Sequence, residues 1–134
     1  MKSNLHLSMY HILLILTDGA IHDMKDTKDL IVECATLPLS IIIIGIGNAD
    51  FSKMVELDGD DVRIRNSLGQ QASRDIVQFV EFNEYKNVDV SMLAEEVLRE
   101  VPDQIVGYME MMGIQPAPVP LMSQSTMSAV NNSK

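Results

Sequence analysis

The sequence predicts an α/β domain, a partial doubly wound (Rossmann-like) unit with three mainly parallel strands and flanking helices. Three observations carry that prediction. Tyr10 to Thr17 is an apolar run that stops abruptly at Asp18 and Gly19, Leu39 to Ile46 repeats the pattern after a helix-like segment, and Ile76 to Phe82 adds a third run rich in β-branched and aromatic residues. Continuous apolar runs are the signature of strands buried on both faces of a parallel sheet, and two of them joined by a helix make a βαβ unit. Open sheets of this class bind ligands at the C-terminal edge of their strands, which makes Asp18 the first candidate functional residue.

Bulk properties narrow the function classes. A chain of 134 residues that is 46% hydrophobic has enough apolar surface for the core of one domain. Its formal charge of −9 repels phosphate backbones and anionic lipid surfaces unless a metal ion bridges the like charges, so nucleic acid is not an expected partner. The single cysteine excludes an internal disulfide and a cysteine-based zinc site, and suits a reducing compartment. The apolar runs fall far short of the ~20 residues that span a bilayer. Where a signal peptide needs a small-residue cleavage site, Thr17, Asp18 and Gly19 instead lead into a helix pattern, so a cytoplasmic protein is expected.

In chain order, residues 1–9 form a lead-in and residues 10–113 the folded unit. Gly19 permits the turn after the first strand, and Asp23 or Asp26 can cap a helix over Thr27 to Leu37, whose apolar stripe is Leu30, Ile31, Cys34 and Leu37. Pro38 stops that helix before the second strand. A short amphipathic stretch, Phe51 to Leu57, follows with Asp50 as its cap, and Val62 to Ser73 reads as an exposed polar loop. After the third strand, Ser91 is expected to cap a helix that turns Leu93, Val97 and Leu98 inward. Pro102 opens the last helix, with a stripe of Ile105, Val106, Met109 and Met112, and Gly113 ends it. Residues 114–134 are expected to be a disordered tail, and deleting Gln115 to Lys134, rich in Pro, Ser, Gln and Asn, should leave the thermal midpoint unchanged.

Several residues imitate chemistry. Gly45, Gly47 and Asp50 follow a strand in the manner of a dinucleotide fingerprint, but Asp50 replaces the last glycine and sets a negative charge where a pyrophosphate would lie. Asp58, Asp60 and Asp61 around Gly59 lack the alternating ligands and distal Glu of an EF-hand, and read as a solvated acidic turn. Cys34 reads as a buried small hydrophobe, since no His or Arg stands near it in sequence. Of His6, His11 and His22, only His22 falls near the carboxylates at the strand end, and it reads as a loop residue. The sequence holds no Ser-His-Asp order, no His-Glu-x-x-His and no Gly-Lys-Ser/Thr loop, so no catalytic residue is nominated and no enzyme is expected. A hard cation wants about six oxygens, of which Asp18 offers one or two.

Thr17-Asp18-Gly19, Leu37-Pro38-Leu39-Ser40, Gly45-Ile46-Gly47-Asn48-Ala49-Asp50-Phe51, Leu57-Asp58-Gly59-Asp60-Asp61, Arg74-Asp75-Ile76-Val77-Gln78-Phe79-Val80 and Glu100-Val101-Pro102-Asp103-Gln104 stand in an order that resembles the C-terminal half of a copine. The resemblance covers about Tyr10 to Gly113. It implies a von Willebrand factor A-type domain, preceded in the family by two calcium-dependent lipid-binding domains. It also implies a divalent metal (Mg, Mn or Ca) at an adhesion-type site, to which this chain matches a single ligand, Asp18. The hydroxyl ligands and first carboxylate have no counterpart here, so the chain is expected not to hold the metal.

Three function classes follow. The resemblance implies a protein-interaction module with unknown protein partners. It also implies calcium-dependent phospholipid binding, at the plasma membrane and in the nucleus as well as the cytoplasm, but through domains absent here. The third class is a nucleotide-binding enzyme fragment, and a truncated, non-functional fragment or gene model is a further reading. The first strand, expected at the edge of its sheet, predicts self-association or a partner that supplies strands.

Overall fold

The computed structural model describes residues 9–59 and 62–116. Three parallel strands lie side by side in the order β1-β2-β3: β1 His11–Thr17, β2 Leu39–Gly45 and β3 Val77–Glu81. Parallel neighbours need long connections. Helix α1 (Met24–Cys34) supplies the first, and a four-residue helix α2 (Ser52–Val55) with the segment that follows supplies the second. Helices α3 (Phe82–Tyr85), α4 (Val90–Leu98) and α5 (Val101–Met111) complete the fold. The three expected strands and their direction are therefore present. Among the described residues no helix is long and apolar enough to cross a membrane.

Side-chain alternation divides the sheet into two faces. On one, Ile43, Val77 and Phe79 pack with Ile31, Ala35, Phe51, Met54, Leu57, Ile64, Ala72 and Ile76 in a single apolar cluster. On the other, Ser40, Ile42, Gln78 and Val80 are buried, and Val101, Gln104 and Tyr108 are the buried residues of α5, which packs on β2. Thus β2 and β3 are covered on both faces.

The first strand is not. The apolar run alone reads as a strand buried on both faces, whereas its expected place at the sheet edge predicts an exposed apolar patch, and Ile12, Leu13, Leu14, Ile15 and Leu16 stand 38–61% exposed. Edge position alone does not explain this, since β3 also ends the sheet and its first four residues are buried. Both faces and the outer edge of β1 lack a covering layer among the described residues, so the apolar run that predicts the strand correctly does not predict its environment.

Helix boundaries and stripes shift in instructive ways. α1 begins at Met24 rather than Thr27. Asp23 is its N-cap residue but its side chain makes no cap bond; of the expected stripe, Ile31 is buried and Cys34 packs against the core, while Leu30 and Leu37 are about half exposed. The cap of α4 is Asp89 rather than Ser91: its carboxylate accepts from the Ser91 N–H at 2.8 Å and from the Ser91 hydroxyl at 2.7 Å. Leu98, expected inside, is 51% exposed. In α5 the buried positions are Val101, Gln104 and Tyr108, one step round from the expected stripe, because a polar and an aromatic residue occupy the inner face. The expected tail lies almost wholly outside the described residues.

The segment after Gly59 is more than a loop. Arg65 and Gln71 form an antiparallel bridge, and the Asn66 side-chain oxygen accepts from the N–H groups of Leu68 and Gln70, closing a tight turn that Gly69, at φ +79°, permits. Ile64 and Ala72 at its base enter the core. Its tip is tied to α1, where the Ser67 N–H and hydroxyl donate to the two Asp29 oxygens at 2.6 and 2.8 Å. Those bonds hold the Asp29 carboxyl below the usual carboxylate range, and bonds from Ser52 to Asp50 and from Ser91 to Asp89 do the same there. A carboxylate whose folded pKa is depressed stabilises the fold above its unfolded pKa, and that stability is lost as pH falls through the folded value. Stability should therefore hold from neutrality to about pH 4 and decline below it. In acid titration followed by circular dichroism, Asp29→Asn should flatten part of that decline.

Candidate functional site

The C-terminal edge of the sheet, where α/β folds place their ligands, is built from three strand ends. At the end of β1, the Thr17 hydroxyl donates to the Gly19 carbonyl at 2.9 Å and accepts from the Gly19 N–H at 3.3 Å, closing a small turn that leaves Asp18 exposed. The Ile46 N–H donates to the Thr17 carbonyl at 2.8 Å and carries the ladder to the end of β2. Beyond β3, the Asn83 amide donates to the Gly47 carbonyl and, at 2.8 Å, to the Asn48 side-chain oxygen, fastening the start of α3 to the β2–α2 loop.

This edge is held by hydroxyl, amide and backbone groups, and a single carboxylate, Asp18, stands at the end of β1. Among the described residues no three His, Cys, Asp or Glu side chains group in a way that could hold a metal ion, and His22 is an exposed loop residue. The Thr17 hydroxyl, the nearest oxygen to Asp18 in sequence, is engaged with Gly19. Among the described residues, Asp18 is the one ligand of the implied metal set that this edge presents.

The glycine-rich turn has a packing explanation. A Cβ on Gly45 would come within 2.9 Å of the Phe51 ring, whose centroid lies 5.8 Å from that of Phe79, so Gly45 lets an aromatic pair close over the strand end. The helix behind it has four residues, and the Ser52 N–H at its start is already bonded to Asp50 at 3.0 Å, where a nucleotide phosphate would have to bind. The expected cap is displaced by one residue: the helix starts at Ser52 with Phe51 at its N-cap position, and Asp50 lies just before it.

Of the other candidates, Cys34 is partly buried and packs against the core. Asp58 is half-buried, and Asp60 and Asp61 lie outside the described residues. Gly59, at φ +52°, backs onto the Asp75 carboxylate 3.1 Å from where a Cβ would sit.

The most heavily bonded side chain is one that the sequence reading passed over. Arg74 is 6% exposed at the opposite, N-terminal edge. Its Nε donates to the Ala35 carbonyl at 3.0 Å, Nη1 to the Tyr10 hydroxyl at 3.1 Å and the Gln104 carbonyl at 3.2 Å, and Nη2 to the Leu39 carbonyl at 2.8 Å and to that of Leu37. The guanidinium also lies over the rings of Tyr108 and Tyr10, 5.3 and 5.8 Å from their centroids. One side chain therefore joins α1, the entries to β1 and β2, and α5. Its signal was a lone arginine just before an apolar strand, flanked in the fold by two tyrosines.

A parallel three-stranded sheet between helices, with side-chain amides and hydroxyls tying the loops at its C-terminal edge, defines an α/β module. The family model for copines matches residues 1–117. The chain belongs to the copine family.

Proposed function

We propose that this chain works through protein–protein interaction, as part of a von Willebrand factor A-type copine domain in the cytoplasm, with β1 as its contact element. The supporting observation is the exposure of five consecutive large apolar residues, Ile12 to Leu16, on a strand with no neighbour along its outer edge among the described residues. A photo-crosslinking amino acid at Leu14 should capture protein partners in cells, whereas the same group at Leu68, an exposed leucine on the Arg65 to Gln71 turn, should not. Equal capture at the two positions, or none at Leu14, contradicts the reading.

For the calcium-dependent phospholipid binding that the family implies, the reading assigns this stretch no lipid contact, because a formal charge of −9 opposes anionic headgroups. With calcium and anionic vesicles the chain should stay in the supernatant. The reading likewise assigns it no catalytic residue and no resident metal. Asp18 supplies too few oxygens to displace the waters of Mg²⁺. Calorimetric titration with Mg²⁺ or Mn²⁺ should show no saturable heat, and a micromolar one-to-one isotherm abolished by Asp18→Ala would contradict it.

A further inference from the structure

The turn between Arg65 and Gln71 carries a second kind of chemistry at its tip. Ser67 is exposed, as are Leu68, Gly69 and Gln70 after it, and both of its donors, the N–H and the hydroxyl, go to the Asp29 carboxylate of α1. Ile64, just before the turn, is buried in the core. Successive residues of an extended chain point to opposite sides, so Arg63 and Arg65 share the outward side, and both are exposed. Of all the serines in the chain, Ser67 alone has an arginine among the four residues before it.

We propose that Ser67 is the acceptor for an arginine-directed serine/threonine protein kinase, and that the phosphoryl group releases the turn from α1. Such kinases read basic residues close before the serine with acidic surfaces of their own, and an exposed turn can open into a kinase cleft because its bonds face solvent. The Ser67 Oγ attacks the γ-phosphorus of the nucleoside triphosphate that the kinase brings, as the bond from that phosphorus to its bridging oxygen breaks. The nucleoside diphosphate leaves, and the hydroxyl proton passes to the kinase's catalytic carboxylate.

The proton lost is the one that Ser67 donates to Asp29 at 2.8 Å. In its place stands a group of about −1.5 to −2 charge at pH 7, facing a carboxylate. Lys25, 3.9 Å from that carboxylate, is largely exposed and offsets little of the repulsion, and Lys28 is already paired with Glu56. The cations nearest along the chain are Arg63 and Arg65, the second of which bonds the Gly69 carbonyl at 3.0 Å and the Gln71 side-chain oxygen at 3.2 Å. A phosphate accepts from a guanidinium more strongly than a carbonyl or amide oxygen does. The turn therefore has two arrangements, one tied to α1 through Asp29 and one drawn in on its own arginines, and the phosphate selects the second.

Modification and release are tested separately on the full chain. Incubated with ATP and protein kinase C, or with cyclic-AMP-dependent protein kinase, the chain should gain a phosphoryl group on the fragment that carries Ser67. Ser67→Ala should abolish that labelling, and Arg63→Gln combined with Arg65→Gln should slow it about tenfold or more. No labelling of Ser67 by either kinase overturns the modification, as does labelling indifferent to the two arginines. For the release, phosphoserine is placed at position 67 during translation. Asp29, held low by its bonds from Ser67, should then titrate closer to the usual carboxylate range by NMR. The thermal midpoint should fall by a few degrees, about as far as in Asp29→Asn. In the phosphorylated Asp29→Asn chain the two losses should not add, because the same bonds are broken only once. Additive losses, or an Asp29 titration that the phosphate leaves unchanged, overturn the release.

Discussion

Arg74→Met should be the most damaging single substitution in this fold, costing about 4 kcal/mol in urea unfolding followed by circular dichroism. The reasoning starts from the donors. The guanidinium serves the carbonyls of Ala35, Leu37, Leu39 and Gln104 and the Tyr10 hydroxyl, and methionine of similar length replaces none of these bonds. A buried acceptor left without a partner costs about 1–3 kcal/mol, and several are exposed to that cost at once. Water reaching the site and the Ser73 hydroxyl, which also donates to Ala35, offset part of it. Against a domain stability of roughly 5–15 kcal/mol this is a large share. Arg74→Lys keeps the charge but not the planar fork, and should cost about 2 kcal/mol. A loss below ~1 kcal/mol for the methionine variant would show that the bonds contribute little net stability.

Phe51→Ala should follow closely, at about 3–5 kcal/mol, the range for truncating a buried phenylalanine. The ring is 3% exposed, pairs with Phe79 and lies against the backbone of Gly45. Gly45→Ala attacks the same contact from the other side: its new Cβ would meet the ring at 2.9 Å, an overpacking that costs about 1–3 kcal/mol. Because removing the ring removes the clash, the double variant should be more stable than the sum of the single losses by about 1 kcal/mol or more. Additive losses would mean that Gly45 is required for some other reason.

Periodicity and composition made most of the architecture legible. Three apolar runs gave three strands, and Gly and Pro marked the ends of the elements between them. The details that failed are those decided by tertiary contacts. The inner face of α5 is Val101, Gln104 and Tyr108 because Tyr108 stacks edge-on against Tyr10 and the Gln104 carbonyl serves Arg74, contacts between residues far apart in sequence. The glycines after β2 imitate a phosphate loop because the same freedom from a Cβ that admits a pyrophosphate admits a phenylalanine ring. Asp18 was read correctly as a residue at a strand end, but a strand end becomes a site only when neighbouring strands bring further ligands to it. Nor can an apolar run say what covers it: the same pattern reads as a buried strand in β2 and an exposed one in β1.

That exposure is the centre of the account, and amide hydrogen exchange measured residue by residue tests it most directly. Leu13 and Ile15, whose N–H groups face β2, should exchange slowly, while Ile12, Leu14 and Leu16 should exchange orders of magnitude faster. Uniform slow exchange along β1 in dilute solution would mean that its outer edge is already covered, and the account would be wrong.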